Sequence, residues 1–82
     1  MSCGKLKVLF FGATAEVAGV RQMSIEISLL ERADSVFSRV MAEYPALSKH
    51  RLLFAINQQY AKGDEIVGDG DELAIFTAVS GG

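Results

Sequence analysis

The fold is decided by the stretch Glu72-Leu73-Ala74-Ile75-Phe76-Thr77-Ala78, which is followed by Val79-Ser80-Gly81-Gly82. Its apolar run predicts a final β-strand in which Leu73 and Ile75 face inward, so that Ala74 and Phe76 point outward. We expect the chain to end at the two glycines. The segment after the strand would then be a flexible tail whose glycines have no side chain, narrow enough to enter a tunnel in another protein. Five residues beyond a strand reach roughly 16–18 Å. The alternative is a frayed terminus without a function.

A first strand is expected at 5–11, which is rich in β-branched, aromatic and aliphatic residues. Its inward-facing residues are predicted to be Leu6, Val8 and Phe10. The opposite face begins charged and ends with Leu9 and Phe11, which we expect to be only half covered. The strand then breaks, and 13–18 is predicted to form a short helix that is closed by Gly19.

The remaining elements follow from alternation and from helical spacing. Residues 21–28 alternate apolar and polar side chains, which predicts a strand with one wet face, paired antiparallel with the first. Residues 34–44 predict the main helix, with Asp34 capping its first turn and Pro45 ending it. The apolar stripe of this helix is Val36, Phe37, Val40, Met41 and Tyr44. Residues 52–56 predict a third strand.

The turn residues Asn57 and Gln58 are followed by a short strand stub at 59–61 and then by the final strand. One main helix packed on one face of a mixed sheet is an α+β arrangement. Because the first and last strands are both predicted to be mostly buried, they suit central positions lying side by side. This is the β-grasp, ubiquitin-like layout, and we expect residues 1–82 to form a single domain.

Composition narrows the range of functions. The net charge of −2 comes from interspersed signs and gives no electrostatic reason to expect binding to nucleic acid or to a membrane. The one cysteine, Cys3, excludes an internal disulfide and favours a reducing compartment, so we expect a cytoplasmic protein. The one histidine, His50, is expected in a loop after the main helix, without the partner that a general base needs.

An acidic stretch late in the sequence raises the possibility of a metal site. Its members are Asp64, Glu65, Asp69, Asp71 and Glu72. The stretch lacks the alternating ligands, central glycine and closing glutamate of an EF-hand loop, so its carboxylates are predicted to stabilise turns. We therefore expect no metal and no bound cofactor.

The reactive group that remains is the α-carboxylate of Gly82, which is inert until it is activated. Joining it to AMP creates a leaving group that a sulfur nucleophile can displace, and the product is a C-terminal thiocarboxylate. This chemistry needs slim and mobile last residues, and a Cβ at Gly81 or Gly82 would widen the tail. We therefore expect a carrier, in which a rigid domain holds a reactive end.

Several segments, in this order and at this length, resemble the small subunit of molybdopterin synthase, the MoaD family. They are 8–13, 15–21, 54–60, 70–76 and 80–82. The resemblance implies a heterotetramer with two copies of a large catalytic subunit. It also implies a Gly82 thiocarboxylate that donates sulfur to cyclic pyranopterin monophosphate in molybdenum cofactor biosynthesis. Adenylation would use ATP and a ubiquitin-activating-like adenylyltransferase and sulfurtransferase.

The resemblance also implies a partner surface. Phe76 falls where the family has an outward aromatic residue against its partner, and alternation independently places it outward, so we expect an interface anchor. The alternative is that Phe76 covers an edge of the sheet. The family usually carries prolines where Thr77 and Ala78 stand here, which implies a looser exit for the tail. Further candidates for contact with the partner are Leu9, Phe11, Val79 and Ser80.

Three other functions stay open. A thiamine-pathway sulfur carrier would share the fold and the Gly-Gly end. A ubiquitin-like protein modifier would join Gly82 to a lysine of a target protein. A plain interaction module would use the domain alone.

Overall fold

The computed structural model describes residues 4–77, which form one five-stranded sheet with its main helix on one face. The elements are β1 (Gly4–Phe10), α1 (Ala13–Ala18), β2 (Gln22–Ile27), α2 (Ala33–Glu43), a 3₁₀-helix (Pro45–Lys49), β3 (Leu52–Ile56), β4 (Gln59–Tyr60) and β5 (Glu72–Thr77). The strand order is β2-β1-β5-β3-β4, with β1 and β5 parallel and the other pairs antiparallel. The predicted α+β, β-grasp layout with neighbouring central first and last strands is confirmed.

The core lies between the inward face of the sheet and α2. The predicted inward residues of β1 and β5 are at most 3% exposed, which confirms the alternation. The whole predicted stripe of α2 belongs to this core or packs against it. Two ring contacts join helix and sheet: Phe37 stacks on Phe54 at 4.6 Å between centroids, and Tyr44 meets Phe10 edge-on at 5.6 Å.

The start of α2 differs from the sequence-based expectation. The sequence predicts Asp34 as the cap, but the helix begins at Ala33, and the Asp34 carboxylate pairs with Arg32 at 2.9 Å. The first amides of the helix are satisfied by another part of the chain. The Ala33 amide donates to the Glu65 carbonyl at 2.8 Å, and the Asp34 amide donates to the Gly63 carbonyl at 2.9 Å. Backbone carbonyl groups of a loop that is distant in the sequence therefore cap the helix in place of a local side chain.

The segment after α2 is also more regular than expected. Pro45 ends α2 as predicted, but it also opens a 3₁₀-helix that fully buries Leu47 under the core. His50 follows this helix and is exposed.

The junction of β1, α1 and β5 is held by Thr14, the one buried polar side chain among residues 4–77. Its hydroxyl lies 2.6 Å from the Phe11 carbonyl and 3.0 Å from the Ile75 carbonyl. The Phe11 amide donates to the same Ile75 carbonyl at 3.0 Å. The hydroxyl therefore ties the first turn of α1 to β5 at the point where β1 stops pairing with it.

We predict that Thr14→Val destabilises the fold by about 1 kcal/mol, because it keeps the shape and removes the donor. This corresponds to a thermal midpoint lower by about 4–8 °C for a domain of this size. Thr14→Ser keeps the hydroxyl and serves as the control, which is expected to lose less. A Thr14→Val midpoint equal to that of the wild type would show that the hydroxyl contributes nothing.

Candidate functional site

The face of the sheet opposite α2 carries an apolar surface, which we call the outer patch. Its members are Leu9 of β1, Phe11 just after it, Leu53 of β3, Tyr60 of β4, and Ala74 and Phe76 of β5. Register explains why they share one face. Leu9 lies opposite Ala74 on β5, and Leu53 lies opposite Phe76, so the neighbouring strands add their outward side chains to one surface.

The outer patch is apolar and open to solvent. Phe11 is 50% exposed, Leu53 is 40% exposed and Tyr60 is 75% exposed, whereas Leu9 and Phe76 are half-buried. The Tyr60 and Phe76 rings are in contact, with centroids 5.8 Å apart and planes tilted by 58°. Single exposed hydrophobic residues are ordinary, whereas a contiguous group of them is a candidate interaction surface.

A shallow groove runs through the outer patch beside the β3–β4 turn. It is lined by Phe11, Ala55, Gln58, Tyr60, Ala74 and Phe76. A second depression lies on the other side of Phe11, where β1 ends and β2 begins, and Glu16 and Arg21 stand among its lining residues. Phe11 lines both depressions.

The structure brings together the three predicted partner-binding residues that it describes. Phe76 points outward as the alternation of β5 predicts, and β5 is a central strand, so the side chain rises from the middle of the sheet. Leu9 and Phe11 are half covered, also as predicted; Phe11 lines the same groove as Phe76, and Leu9 lies opposite Ala74 on β5. The other predicted site residues, Val79, Ser80, Gly81 and Gly82, lie outside the described residues.

Three members of the outer patch are not predicted to contact a partner: Ala74, which is predicted only to point outward, and Leu53 and Tyr60. Leu53 and Tyr60 fall in predicted strands, but no partner contact is predicted for either. A signal for Leu53 was available, since it stands between Leu52 and Phe54 and must point to the opposite face. Tyr60 gave no such signal, because β4 has only two residues and its face depends on the turn before it.

The acidic stretch 64–72 stabilises turns, as predicted. The Asp69 carboxylate accepts the Lys5 amide at 2.8 Å, and that of Asp71 accepts the Gly68 amide at 2.8 Å. Glu65 accepts the amides of Lys62 and Gly63 at 2.7 and 2.8 Å. Within 4–77, no group of three or more His, Cys, Asp or Glu side chains is placed to hold a metal ion. No helix in that range is long and apolar enough to cross a membrane.

The mixed sheet with one helix across it, and an apolar outer face, defines a ubiquitin-like β-grasp protein. Solved structures of the same fold include a molybdopterin converting factor subunit 1 from Pyrococcus furiosus, described as putative in its source (TM-score 0.84, 23% identity, 93% of this chain and 99% of that one). SAMP1 from Haloferax volcanii has a TM-score of 0.85 at 28% identity, over 96% of this chain and all of that one.

Sequence comparison assigns the family. Residues 8–82 match the ThiS family. The molybdopterin synthase sulfur carrier subunit of Chlamydomonas reinhardtii is 35% identical over 95% of this chain and 99% of its own length. The human protein of the same name is 30% identical over 95% and 94%. The chain belongs to the ThiS family and, within it, to the molybdopterin synthase sulfur carrier subunits.

We predict an acid-sensitive contribution from Glu65. Hydrogen bonds from the amides of Lys62 and Gly63 lower the pKa of this carboxyl below its ordinary value of 4.5. A folded-state pKa below the unfolded one stabilises the fold above the unfolded pKa, and this stabilisation is lost as the pH falls through the folded pKa. Glu65→Gln is therefore expected to lower the thermal midpoint at neutral pH and to reduce its drop on acidification.

Melting curves at neutral pH and well below pH 4.5 measure both effects. Glu43→Gln removes the same charge from an exposed residue at the end of α2 and controls for net charge. An equal acid-induced drop in wild type and Glu65→Gln would contradict the assignment.

Proposed function

We propose that this chain is the sulfur-carrier small subunit of molybdopterin synthase and that Gly82 carries the sulfur. The observation that carries the proposal is the extent of the family match, which runs through residue 82 and so includes the Gly-Gly end. Curated relatives with this function in their names match 95% of the chain. Thr77 is the last described residue of the central strand β5, and five residues, 78–82, follow it in the sequence.

The proposed chemistry takes place at the Gly82 carboxylate. Attack of this carboxylate on ATP forms an acyl-adenylate and releases pyrophosphate. Hydrosulfide then adds to the acyl carbon, the C–O bond to AMP breaks, a proton is released, and the thiocarboxylate remains. Its sulfur passes to cyclic pyranopterin monophosphate, and water restores the carboxylate. Without a Cβ, Gly81 and Gly82 present the least bulk to the sites in which these steps occur.

The proposed division of labour leaves the catalytic groups to partners. The ubiquitin-activating-like adenylyltransferase uses the ATP, and the large subunit transfers the sulfur, so this chain serves as the donor half of a sulfurtransferase and has no resident cofactor. Two copies of each subunit would form a heterotetramer. Because activation consumes ATP and the single cysteine suits a reducing compartment, we place the protein in the cytoplasm.

We propose that the outer patch binds the large subunit, with Phe76 as its anchor. Several features support this. Phe76 lies in the middle of an exposed apolar surface, it contacts Tyr60, and it is one residue before Thr77, where the described chain ends. A partner seated on this surface would therefore also meet the residues that lead to Gly82. A Helicobacter pylori complex of subunits 1 and 2 of molybdopterin-converting factor contains a chain of the same fold (TM-score 0.68, 20% identity, 95% of this chain and 99% of that one).

A ubiquitin-like modifier is the second candidate, and the similarity to SAMP1 favours it. A second Haloferax volcanii structure is named small archaeal modifier protein 1 and shares the fold (TM-score 0.83, 24% identity, 93% of this chain and 99% of that one). A modifier would form covalent ladders with target proteins on a denaturing gel. A thiamine-pathway carrier would form the same thiocarboxylate but would not support sulfur transfer with the large subunit and the pterin precursor.

Deleting Gly82 is predicted to abolish sulfur transfer and to leave the thermal midpoint unchanged, because the reactive carboxylate moves while the sheet stays intact. A tag added after Gly82 should have the same effect. The measurement is intact mass after incubation with the activating enzyme, ATP and a sulfur source, where wild type exchanges one oxygen for sulfur. Sulfur transfer that persists in the deletion would rule out Gly82 as the carrier.

Phe76→Ala is predicted to weaken binding to the large subunit by at least about tenfold, as expected for an aromatic anchor. The thermal midpoint should fall by no more than about 5 °C, since the side chain is outside the core. Leu29→Ala is the control, because Leu29 is 74% exposed and lies in the loop before α2, away from the outer patch. Titration calorimetry gives the affinities. A large loss of stability in Phe76→Ala would show that Phe76 holds the fold instead.

A further inference from the structure

The hairpin turn between β3 and β4 carries an unfavourable backbone conformation at one residue. The turn has two residues, since Ile56 pairs with Gln59 across it. Asn57 has φ of 48° and Gln58 has φ of 70°, so both lie in the left-handed region that two-residue hairpins of type I′ require. Asn followed by Gly is the favoured pair for this turn. Asn57 meets that preference, and Gln58 does not, because its Cβ is strained in this conformation.

The two turn residues differ in what their side chains do for the fold. The carboxamide of Asn57 hydrogen-bonds the start of β5. It accepts the Glu72 amide at 3.0 Å and donates to the carboxylate of Asp71, the residue before β5, at 3.1 Å. The Gln58 side chain is exposed, and within residues 4–77 its carboxamide has no hydrogen-bond partner. No side-chain hydrogen bond within residues 4–77 therefore offsets the cost of the positive φ at Gln58.

Gln58 instead lines the groove in the outer patch. It stands there with the rings of Phe11, Tyr60 and Phe76 and with two alanines. It is the one lining residue of this groove that carries a carboxamide, a group that both donates and accepts hydrogen bonds. A strained residue that breaks a local rule is a candidate for function when its side chain reaches a proposed binding surface.

We propose that Gln58 is a partner-binding residue whose carboxamide hydrogen-bonds a backbone peptide group of the large subunit segment that covers the outer patch. This rests on the proposed function. A peptide group offers one donor and one acceptor, which matches a carboxamide. Apolar contact with Phe76 and Tyr60 stabilises a partner segment in the groove wherever it lies along the groove. A hydrogen bond at the edge of the groove forms in only one of these positions and so selects it. Gln58 therefore fixes the position of the partner segment in the groove.

Two substitutions separate this role from a structural one. Gln58→Gly removes both the backbone strain and the carboxamide, so the thermal midpoint should rise by about 2–5 °C while the Kd for the large subunit increases about three- to tenfold. Gln58→Met keeps the length and the backbone cost but loses hydrogen bonding, so it should weaken binding similarly without raising the midpoint. Gln59→Met is the matched control, because Gln59 is exposed and lies outside the groove.

Calorimetry with the large subunit of the same organism and thermal melting of each variant give the readouts. A stabilised Gln58→Gly variant that binds as tightly as wild type would overturn the proposal, as would tight binding by Gln58→Met. If Phe76→Ala weakens binding and both Gln58 variants bind normally, only this inference fails. If wild type itself does not bind the large subunit, the proposed function fails as well.

Discussion

The parallel pairing of β1 with β5 is the constraint on which the rest of the structure depends. Four residue pairs, from Lys7–Glu72 to Phe10–Ile75, join segments from opposite parts of the sequence in the middle of the sheet. β5 is also paired with β3 along its other side. The hydrogen bonds to both β1 and β3 must break before β5 can separate from the sheet. The residues after Thr77 therefore follow a strand that is anchored on both sides.

The two faces of β5 differ in their surroundings. Leu73 and Ile75 are fully buried beneath α2, whereas Ala74 and Phe76 belong to the outer patch. Because successive side chains of a strand point to opposite faces, a change at Phe76 alters the outer patch without entering the core. The same division applies to β1, where Val8 is buried and Leu9 faces outward.

Much of the fold is predictable because local patterns and tertiary packing agree. The alternation of β1, β2 and β5 and the stripe of α2 are sufficient to identify most of the core. Asp34 shows where the sequence fails: its side chain is a good cap, but carbonyls from a loop about 30 residues away occupy the first amides of α2. The sequence around Asp34 does not show that these carbonyl groups will bind the amides instead. For the site, Phe76, Leu9 and Phe11 follow from alternation and resemblance, whereas Tyr60 depends on a turn whose geometry only the structure gives.

The β3–β4 hairpin shows how one short turn connects the core with the surface. Asn57 closes the turn and also bonds the start of β5, so the hairpin is fixed to the strand that leads to Gly82. Three residues later Tyr60 lies against Phe76, nearer the end of the same strand. The hairpin thus contacts β5 at two places, near the start of the strand through the hydrogen bond of Asn57 and near its end through the ring of Tyr60. A partner that contacts Tyr60 and Gln58 would therefore contact a hairpin that is joined to β5 at two points. The orientation of the partner relative to β5, and so to the residues beyond Thr77, would then be set by the sheet itself.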